Sequence, residues 1–219
     1  MSVPRIVSVN VGRPRTVTWA GRAVTSAIWK APVWGRLAVA GVNFEGDDQA
    51  DRRVHGGPDK AVYAYATEDY AWWCAELGTE VANATFGENL TTEGIDLNGC
   101  VIGTRWQVGT AVLEVAQPRQ PCFKLGMRMG DAHFVDRFDD ARRPGAYLRI
   151  IEPGETGAGD EIIVGAPPAH GFTIADFTDV QQGPSRESLQ RVASVGDIPD
   201  GWRDWAARQL ERHYNNGQA

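Results

Sequence analysis

The most informative stretch of this 219-residue sequence is Gln117-Pro118-Arg119-Gln120-Pro121-Cys122-Phe123-Lys124-Leu125. It follows Ala111–Ala116, whose β-branched and apolar residues predict a strand. Two prolines stiffen the segment and remove backbone donors. The chain is therefore expected to leave the sheet here as a rigid loop that presents its side chains at one edge.

The chemistry of this loop centres on Cys122, which stands between two cations, Arg119 and Lys124. Positive charge nearby favours the thiolate, the form of cysteine that acts as a nucleophile or a metal ligand. Arg119 also offers a planar fork for a phosphate or a carboxylate. The competing interpretation is a buried, inert thiol beside solvated cations, and this segment alone does not separate the two.

A second candidate segment, His55-Gly56-Gly57-Pro58-Asp59-Lys60, directly precedes a predicted strand at Ala61–Ala66. Gly56 and its neighbouring glycine would let the backbone approach a ligand closely, and Lys60 and His55 could meet an anion. An ordinary Gly-Pro-Asp turn between two strands explains the same residues. The spacing is not that of a phosphate-binding P-loop, which leads into a helix.

The third candidate segment is Phe86-Gly87-Glu88-Asn89-Leu90. Either Glu88 or Asn89 could hydrogen-bond a polar ring. A simple loop that enters a strand accounts equally well for the pattern.

Short apolar stretches alternate with turn residues through the first 165 residues, which indicates many short strands. Further strands are predicted at Ile6–Val11, Ala23–Trp29, Leu37–Val42, Asn89–Thr92, Arg105–Val108, Ala146–Ile151 and Glu161–Val164. Helices are predicted at Glu68–Leu77, ending at Gly78, and at Asp131–Arg142. The predicted fold class is α+β and mostly β, a barrel-like architecture with a few added helices.

The composition changes near Gly165-Ala166-Pro167-Pro168, a plausible linker. Beyond it, three helical stretches follow, the first with capping-box spacing at Thr173-Ile174-Ala175-Asp176. We therefore expect a β-rich domain over residues 1–166 and a small three-helix domain over residues 170–219. Those helices either pack against the first domain or dock a partner.

Composition narrows the class of function. The net charge of −6, with no basic stretch, argues against a nucleic-acid binder. No apolar run of membrane-spanning length and no signal peptide are seen, and three cysteines do not suggest a disulfide framework. A cytoplasmic protein with reduced thiols is expected. Close histidine and cysteine spacings typical of zinc sites are missing from the sequence.

Taken together, the three segments resemble the MOSC superfamily, and within it the YiiM family. The resemblance runs in order through residues 51–62, 86–90, 117–125 and 145–150, and the last 50 residues are similar to the small helical domain of that family. It implies a MOSC-type β-barrel that binds a pterin-based molybdenum cofactor, with Cys122 as the catalytic molybdenum ligand. The cofactor-binding positions it implies are His55, Gly56, Lys60, Asn89, Arg119 and, more weakly, Lys124.

The resemblance also implies a function: reduction of N-hydroxylated compounds such as 6-hydroxylaminopurine, a detoxification independent of pyridoxal phosphate. The sequence has no dinucleotide-binding glycine fingerprint, so electrons are expected from a separate reductase, a flavoprotein. Two alternatives stay open. One is a non-catalytic carrier of the cofactor or its sulfur; the other is a metal-free hydrolase that uses Cys122 with a histidine.

Overall fold

The computed structural model describes residues 3–48 and 56–212. Within them the chain forms thirteen strands and six helices. The strands are β1 Arg5–Val11, β2 Arg15–Trp19, β3 Arg22–Ser26, β4 Ala31–Val33, β5 Arg36–Ala40, β6 Asn43–Phe44, β7 Val62–Ala66, β8 Leu90–Glu93, β9 Arg105–Val108, β10 Ala111–Pro118, β11 Ala146–Glu152, β12 Gly154–Gly157 and β13 Ile162–Val164. The helices are α1 Thr67–Leu77, α2 Phe123–Met129, α3 Phe134–Asp140, α4 Ile174–Gln182, α5 Arg186–Ser194 and α6 Asp200–Leu210.

One eight-stranded sheet organises the molecule, in the order β13-β9-β10-β11-β7-β8-β1-β4. Neighbouring strands are antiparallel except β7 and β8, which run parallel on either side of α1. The mostly-β, α+β prediction is confirmed. Among the described strands the ladder does not close into a barrel, although the Ile162 amide donates to the Pro4 carbonyl at 2.8 Å and so brings β13 beside the start of β1.

Several local rules place the helix ends. The predicted capping box is confirmed at α4, where the Thr173 hydroxyl accepts the Asp176 amide at 3.0 Å and the Asp176 carboxylate accepts the Thr173 amide at 2.9 Å. Helix α1 ends at Gly78, as predicted, with a φ of 63° that costs glycine little. Helix α3 is shorter than the predicted Asp131–Arg142 because Asp131 begins a turn before it.

The segment around Cys122 differs from the uninterrupted loop that the prolines suggested. Strand β10 continues through Pro118, and helix α2 begins at Phe123, immediately after Cys122. Cys122 itself is extended, with a φ of −136°, and its carbonyl accepts the Leu125 amide at 2.8 Å. The rigid part is therefore only four residues long, held between a buried strand and a helix.

Two apolar clusters support this framework. The larger joins the sheet to the C-terminal helices, whose buried side chains include Phe177, Leu189, Val192 and Ala206. The three helices predicted for the C-terminal region are thus present and pack on the sheet; the division into two domains at residues 166 and 170 stays a prediction. Every helix within the described residues is too short or too polar to span a membrane.

The second cluster is mainly aromatic and lies beside helices α1 to α3. Trp73, fully buried, donates its indole N–H to the Tyr65 hydroxyl at 2.8 Å, and Phe86 stacks on Tyr70 with centroids 5.0 Å apart. Each such ring contributes about 1.5–3 kcal/mol by leaving water. The segments at residues 86–90 and 117–125 pack against this cluster through Phe86 and Leu125.

Candidate functional site

A cleft gathers most of the residues that the sequence singled out. It encloses about 640 Å³ of empty space, part of it open to solvent. Its walls come from the chain after β3, the turn before β7, and the segments that enter β8 and leave β10. The lining residues are Ser26, Ala27, Ile28, Lys30, Asp47, Asp48, Lys60, Tyr63, Gly87, Asn89, Arg119, Cys122, Lys124 and Tyr147.

Cys122 lies in the wall of this cleft and is partly exposed. As a thiolate, Cys122 would raise the pKa of both Lys60 and Arg119, so its sulfur lies within electrostatic reach of two cations. Lys124, two residues further on, lines the same wall. This position disfavours the interpretation of Cys122 as an inert thiol packed in hydrocarbon, because the sulfur borders an open, charged hollow.

Lys60 ends a short 3₁₀ turn, Pro58–Lys60, that Gly57 enters with a φ of 99°. Such a φ favours glycine, so the turn depends on that residue. Burial lowers the pKa of Lys60, while the neighbouring Asp59 and Cys122 partly oppose that effect. Gly56 lies just before the turn and does not line the cleft, and His55 lies outside the described residues.

Arg119 lines the cleft and is only 8% exposed. Its guanidinium donates to the Phe86 carbonyl and lies over the ring of Tyr63, 4.8 Å from the centroid. The ring faces and the carbonyl hold the planar group in one orientation. A fixed, buried guanidinium beside open space suits an anionic ligand.

Sequence reasoning missed a buried ion pair in the same wall. The Lys30 ammonium lies 2.5 Å from both carboxylate oxygens of Asp47, and these side chains are only 9% and 1% exposed. Burial lowers the pKa of Lys30, against the opposing effect of Asp47. The Asp47 carboxylate also accepts the Gly12 amide at 2.8 Å, so it ties two loops together.

Asn89 lines the cleft, yet its amide group is already engaged. Its oxygen accepts the Tyr63 amide at 3.1 Å, and its nitrogen donates to Asp47 at 2.8 Å and to the Asn10 carbonyl at 3.3 Å. Both amide hydrogens and the carbonyl therefore have partners. This geometry suits a residue that positions Asp47 better than one that binds a ligand directly.

Glu88, the other polar residue of its segment, lies behind the wall and does not face the cleft. It is fully buried and accepts the Tyr70 hydroxyl at 2.8 Å, the Ala84 amide at 2.6 Å and the Thr91 hydroxyl at 3.0 Å. Burial raises the pKa of this carboxyl, although these hydrogen bonds oppose the shift. Glu88 thus organises the loop from within.

The low number of lysines in the sequence points to Lys30 as a candidate site residue. The chain has 22 basic residues, of which only three are lysines: Lys30, Lys60 and Lys124. All three line this cleft. Outside the cleft the basic residues are all arginines, so the lysines mark this cleft, where compact ammonium groups accompany the planar guanidinium of Arg119.

The side chains present fit a phosphate-bearing, metal-bearing pterin. Among the described lining residues, Lys60, Arg119 and Lys124 add positive charge beyond the neutralised Lys30–Asp47 pair. Phosphate calls for such donors, and a soft metal calls for a thiolate. The Asp48 carboxylate can accept ring N–H groups, and the apolar Ile28 side chain can contact a flat ring.

Comparisons with known proteins agree with this description of the cleft. Residues 51–163 match the model of the MOSC domain family. The chain is 36% identical over 137 residues to protein YiiM of Escherichia coli, covering 61% of each, and 32% identical over 198 residues to a reductase of Gibberella moniliformis, covering 89% of this chain and 35% of that one. The crystal structure of YiiM from Geobacillus stearothermophilus superposes with a TM-score of 0.79 at 28% identity, covering 94% of this chain and 99% of the other.

Proposed function

Because this chain belongs to the MOSC domain family, whose domains bind molybdenum cofactor, we propose that it is a reductase of N-hydroxylated compounds with Cys122 as its molybdenum ligand. A molybdenum-cofactor-related role follows from the family, and the reductase of Gibberella moniliformis supports redox chemistry. The observation that carries the finer proposal is a partly exposed thiol in a cleft whose wall holds every lysine of the chain.

Different residues would bind different parts of the cofactor. Cys122 would ligate the metal as a thiolate. Lys60, Arg119 and Lys124 would meet the phosphate, with Arg119 as the oriented fork and the two lysines as point charges. His55 and Gly56, which precede the Lys60 turn in the sequence, complete the proposed binding set. Asn89 contributes by holding Asp47 in the wall.

The overall conversion balances as a two-electron reduction. A hydroxylamine takes up two electrons and two protons, its N–O bond breaks, and an amine and water are released. When bound, the cofactor supplies the two-electron centre for this change. The protein's part is to hold the cofactor, to leave a solvent-connected face for a small substrate such as 6-hydroxylaminopurine, and to supply cations for the phosphate.

The electrons are proposed to come from a separate flavoprotein reductase. The relative named reductase motivates this proposal, because the present chain covers only 35% of that longer protein. We propose further that the protein acts in the cytoplasm, where such a reductase and the cofactor would be available.

The deciding experiment measures molybdenum and pterin in protein purified from a host that makes the cofactor. Wild type is expected to retain both, and Cys122→Ser to lose most of its molybdenum, while Cys100→Ser serves as the matched control. Cofactor-loaded protein with an artificial electron donor should then convert 6-hydroxylaminopurine to adenine. Equal molybdenum in wild type and Cys122→Ser would refute the ligand assignment; retained molybdenum without turnover of any hydroxylamine would favour a cofactor carrier.

A further inference from the structure

The turn that carries Lys60 has a second side, which faces away from the cleft. There, Asp59 accepts two hydrogen bonds from neighbouring strands of the sheet. The Arg149 guanidinium donates to its carboxylate at 2.5 Å, and the Gln117 amide nitrogen donates to its carbonyl at 3.0 Å. Adjacent residues of one turn thus have different surroundings. Lys60 lines the cleft, whereas Asp59 is hydrogen-bonded to Arg149 and Gln117.

Both partners of Asp59 are in turn held by the C-terminal helices. The Trp202 indole N–H, from the first turn of α6, donates to the Gln117 side-chain oxygen at 2.6 Å. The Arg149 guanidinium also donates to the carbonyl of Asp197, just before α6, at 3.0 Å. Two short chains of hydrogen bonds therefore run from the C-terminal helices to the Lys60 turn.

Gln117 is the link on which the first chain depends. It is 3% exposed, and its oxygen and nitrogen point to Trp202 and Asp59 respectively. Because a buried amide that loses one partner is left unsatisfied, the orientation of Gln117 is set by the indole N–H. That orientation in turn decides whether the nitrogen can reach the Asp59 carbonyl.

We propose that Trp202 is a positioning residue for the cleft: through Gln117 it fixes the Pro58–Lys60 turn, so that the C-terminal helices set where the Lys60 ammonium lies. Its consequence for binding rests on the proposed function, in which Lys60 meets a phosphate. The positional part stands on the hydrogen bonds alone. It gives the C-terminal helices a role beyond packing.

The sparse lysines make this proposal directly measurable. Full-length, cofactor-free protein labelled with ¹³C at the lysine ε-carbons has only three such groups, Lys30, Lys60 and Lys124, all in the cleft. A Lys60→Arg variant identifies the Lys60 signal. Trp202→Phe removes the indole N–H while keeping a ring against Phe177 and Trp205, whose centroids lie 5.3 and 5.5 Å away. Gln117→Met removes both links with little change in volume.

The expected result is a shift of the Lys60 signal in Trp202→Phe and in Gln117→Met, with the Lys30 signal unchanged. Affinity for inorganic phosphate, followed on the same signals, is expected to fall about fivefold, the size of one lost hydrogen bond. Trp205→Phe, in the same helix, is the control and should leave the Lys60 signal in place.

The positional proposal is overturned by a Lys60 signal in Trp202→Phe that coincides with wild type, or by an equal shift in Trp205→Phe. An unchanged phosphate affinity beside a shifted Lys60 signal overturns the consequence for binding. Should Trp202→Phe fail to fold, an unshifted Lys60 signal in Gln117→Met overturns the proposal, because the link from Trp202 to the turn runs through Gln117. None of these measurements involves molybdenum or turnover. A failure here is therefore distinguishable from a failure of the reductase proposal, which the metal analysis decides.

Discussion

The ammonium of Lys30 and the carboxylate of Asp47 are 2.5 Å apart and almost wholly enclosed in the wall of the cleft. Asp47 also accepts hydrogen bonds from Gly12 and Asn89. This pair joins the chain after β3 to the chain after β6 and to the entry of β8. Lys30 and Asp47 lie outside the described strands, so at this point the cleft wall is held by charge.

Removing one member of this pair should be costly. Asp47→Asn leaves the Lys30 ammonium buried without its counter-charge, and we expect a loss of about 3–5 kcal/mol in the free energy of unfolding at neutral pH. Urea titration measures it. Glu93→Gln, which breaks the exposed Arg5–Glu93 pair, is the control and should change stability by less than about 1 kcal/mol.

The sign of the pH dependence follows from Lys30. Its pKa is already lowered by burial, and loss of Asp47 removes the main effect that opposes burial. Between that lowered pKa and the ordinary value near 10.5, the unfolded chain binds more protons than the folded one, so stability rises with pH. Loss of Asp47 lowers the folded-state pKa of Lys30 further, so the deficit of Asp47→Asn relative to wild type should shrink as pH rises between the two folded-state values. A deficit that shrinks at no pH below 10.5 would contradict the assignment.

Arg119 should not be replaceable by lysine. Its guanidinium contacts the Phe86 carbonyl and the Tyr63 ring at once, which a single ammonium cannot reproduce. We expect Arg119→Lys to reduce molybdenum retention about tenfold or more, since hydrogen bonds to charged groups contribute roughly 1.5–3 kcal/mol. Metal analysis after gel filtration checks this. Arg137→Lys, whose exposed guanidinium also lies near a ring, should retain molybdenum like wild type.

The thiols of Cys122 and Cys100 should differ in reactivity. Cys122 borders the cleft, whereas burial and the nearby Asp96 raise the pKa of Cys100 to about 12. Because the thiolate is the reacting form, iodoacetamide at pH 7.5 should alkylate Cys122 at least about tenfold faster than Cys100. Peptide mass spectrometry of a time course follows both sites. Faster labelling of Cys100, or equal rates in cofactor-free protein, would remove the basis for treating Cys122 as the activated thiol.

Much of this site could be predicted from the sequence because its segments carry joint patterns. Lys60, Asn89, Arg119, Cys122 and Lys124 each belong to a short motif, and all of them line one cleft. The motifs could not show how these residues are used. The sequence predicts that Asn89 binds a ligand. In the structure its amide group is hydrogen-bonded to backbone groups and to Asp47, which the motif alone does not indicate.

The Lys30–Asp47 pair could not be predicted from single sequence segments. Lys30 directly follows the predicted strand Ala23–Trp29. The observed strand β3 ends at Ser26, and the chain after it lines the cleft. Asp47 lies 17 residues further on, in a loop without a recognisable motif. The contact between Lys30 and Asp47 depends on how several strands are arranged. The hydrophobic pattern within one segment does not predict that arrangement. The scarcity of lysine was the available clue.

Glu88 offers a last test, in which the buried carboxyl makes stability depend on pH. Its folded-state pKa is raised above 4.5 by burial, so the folded chain binds more protons than the unfolded chain between these two values. The contribution of Glu88 is fully present below pH 4.5 and is lost as pH rises through the folded pKa. Glu88→Gln keeps an oxygen acceptor for the Ala84 amide and cannot ionise. Its stability relative to wild type should therefore increase with pH above 4.5 and then level off. The exposed Glu80→Gln should show no such trend, and a pH-independent difference for Glu88→Gln would mean that Tyr70, Ala84 and Thr91 stabilise the ionised carboxylate enough to cancel its burial.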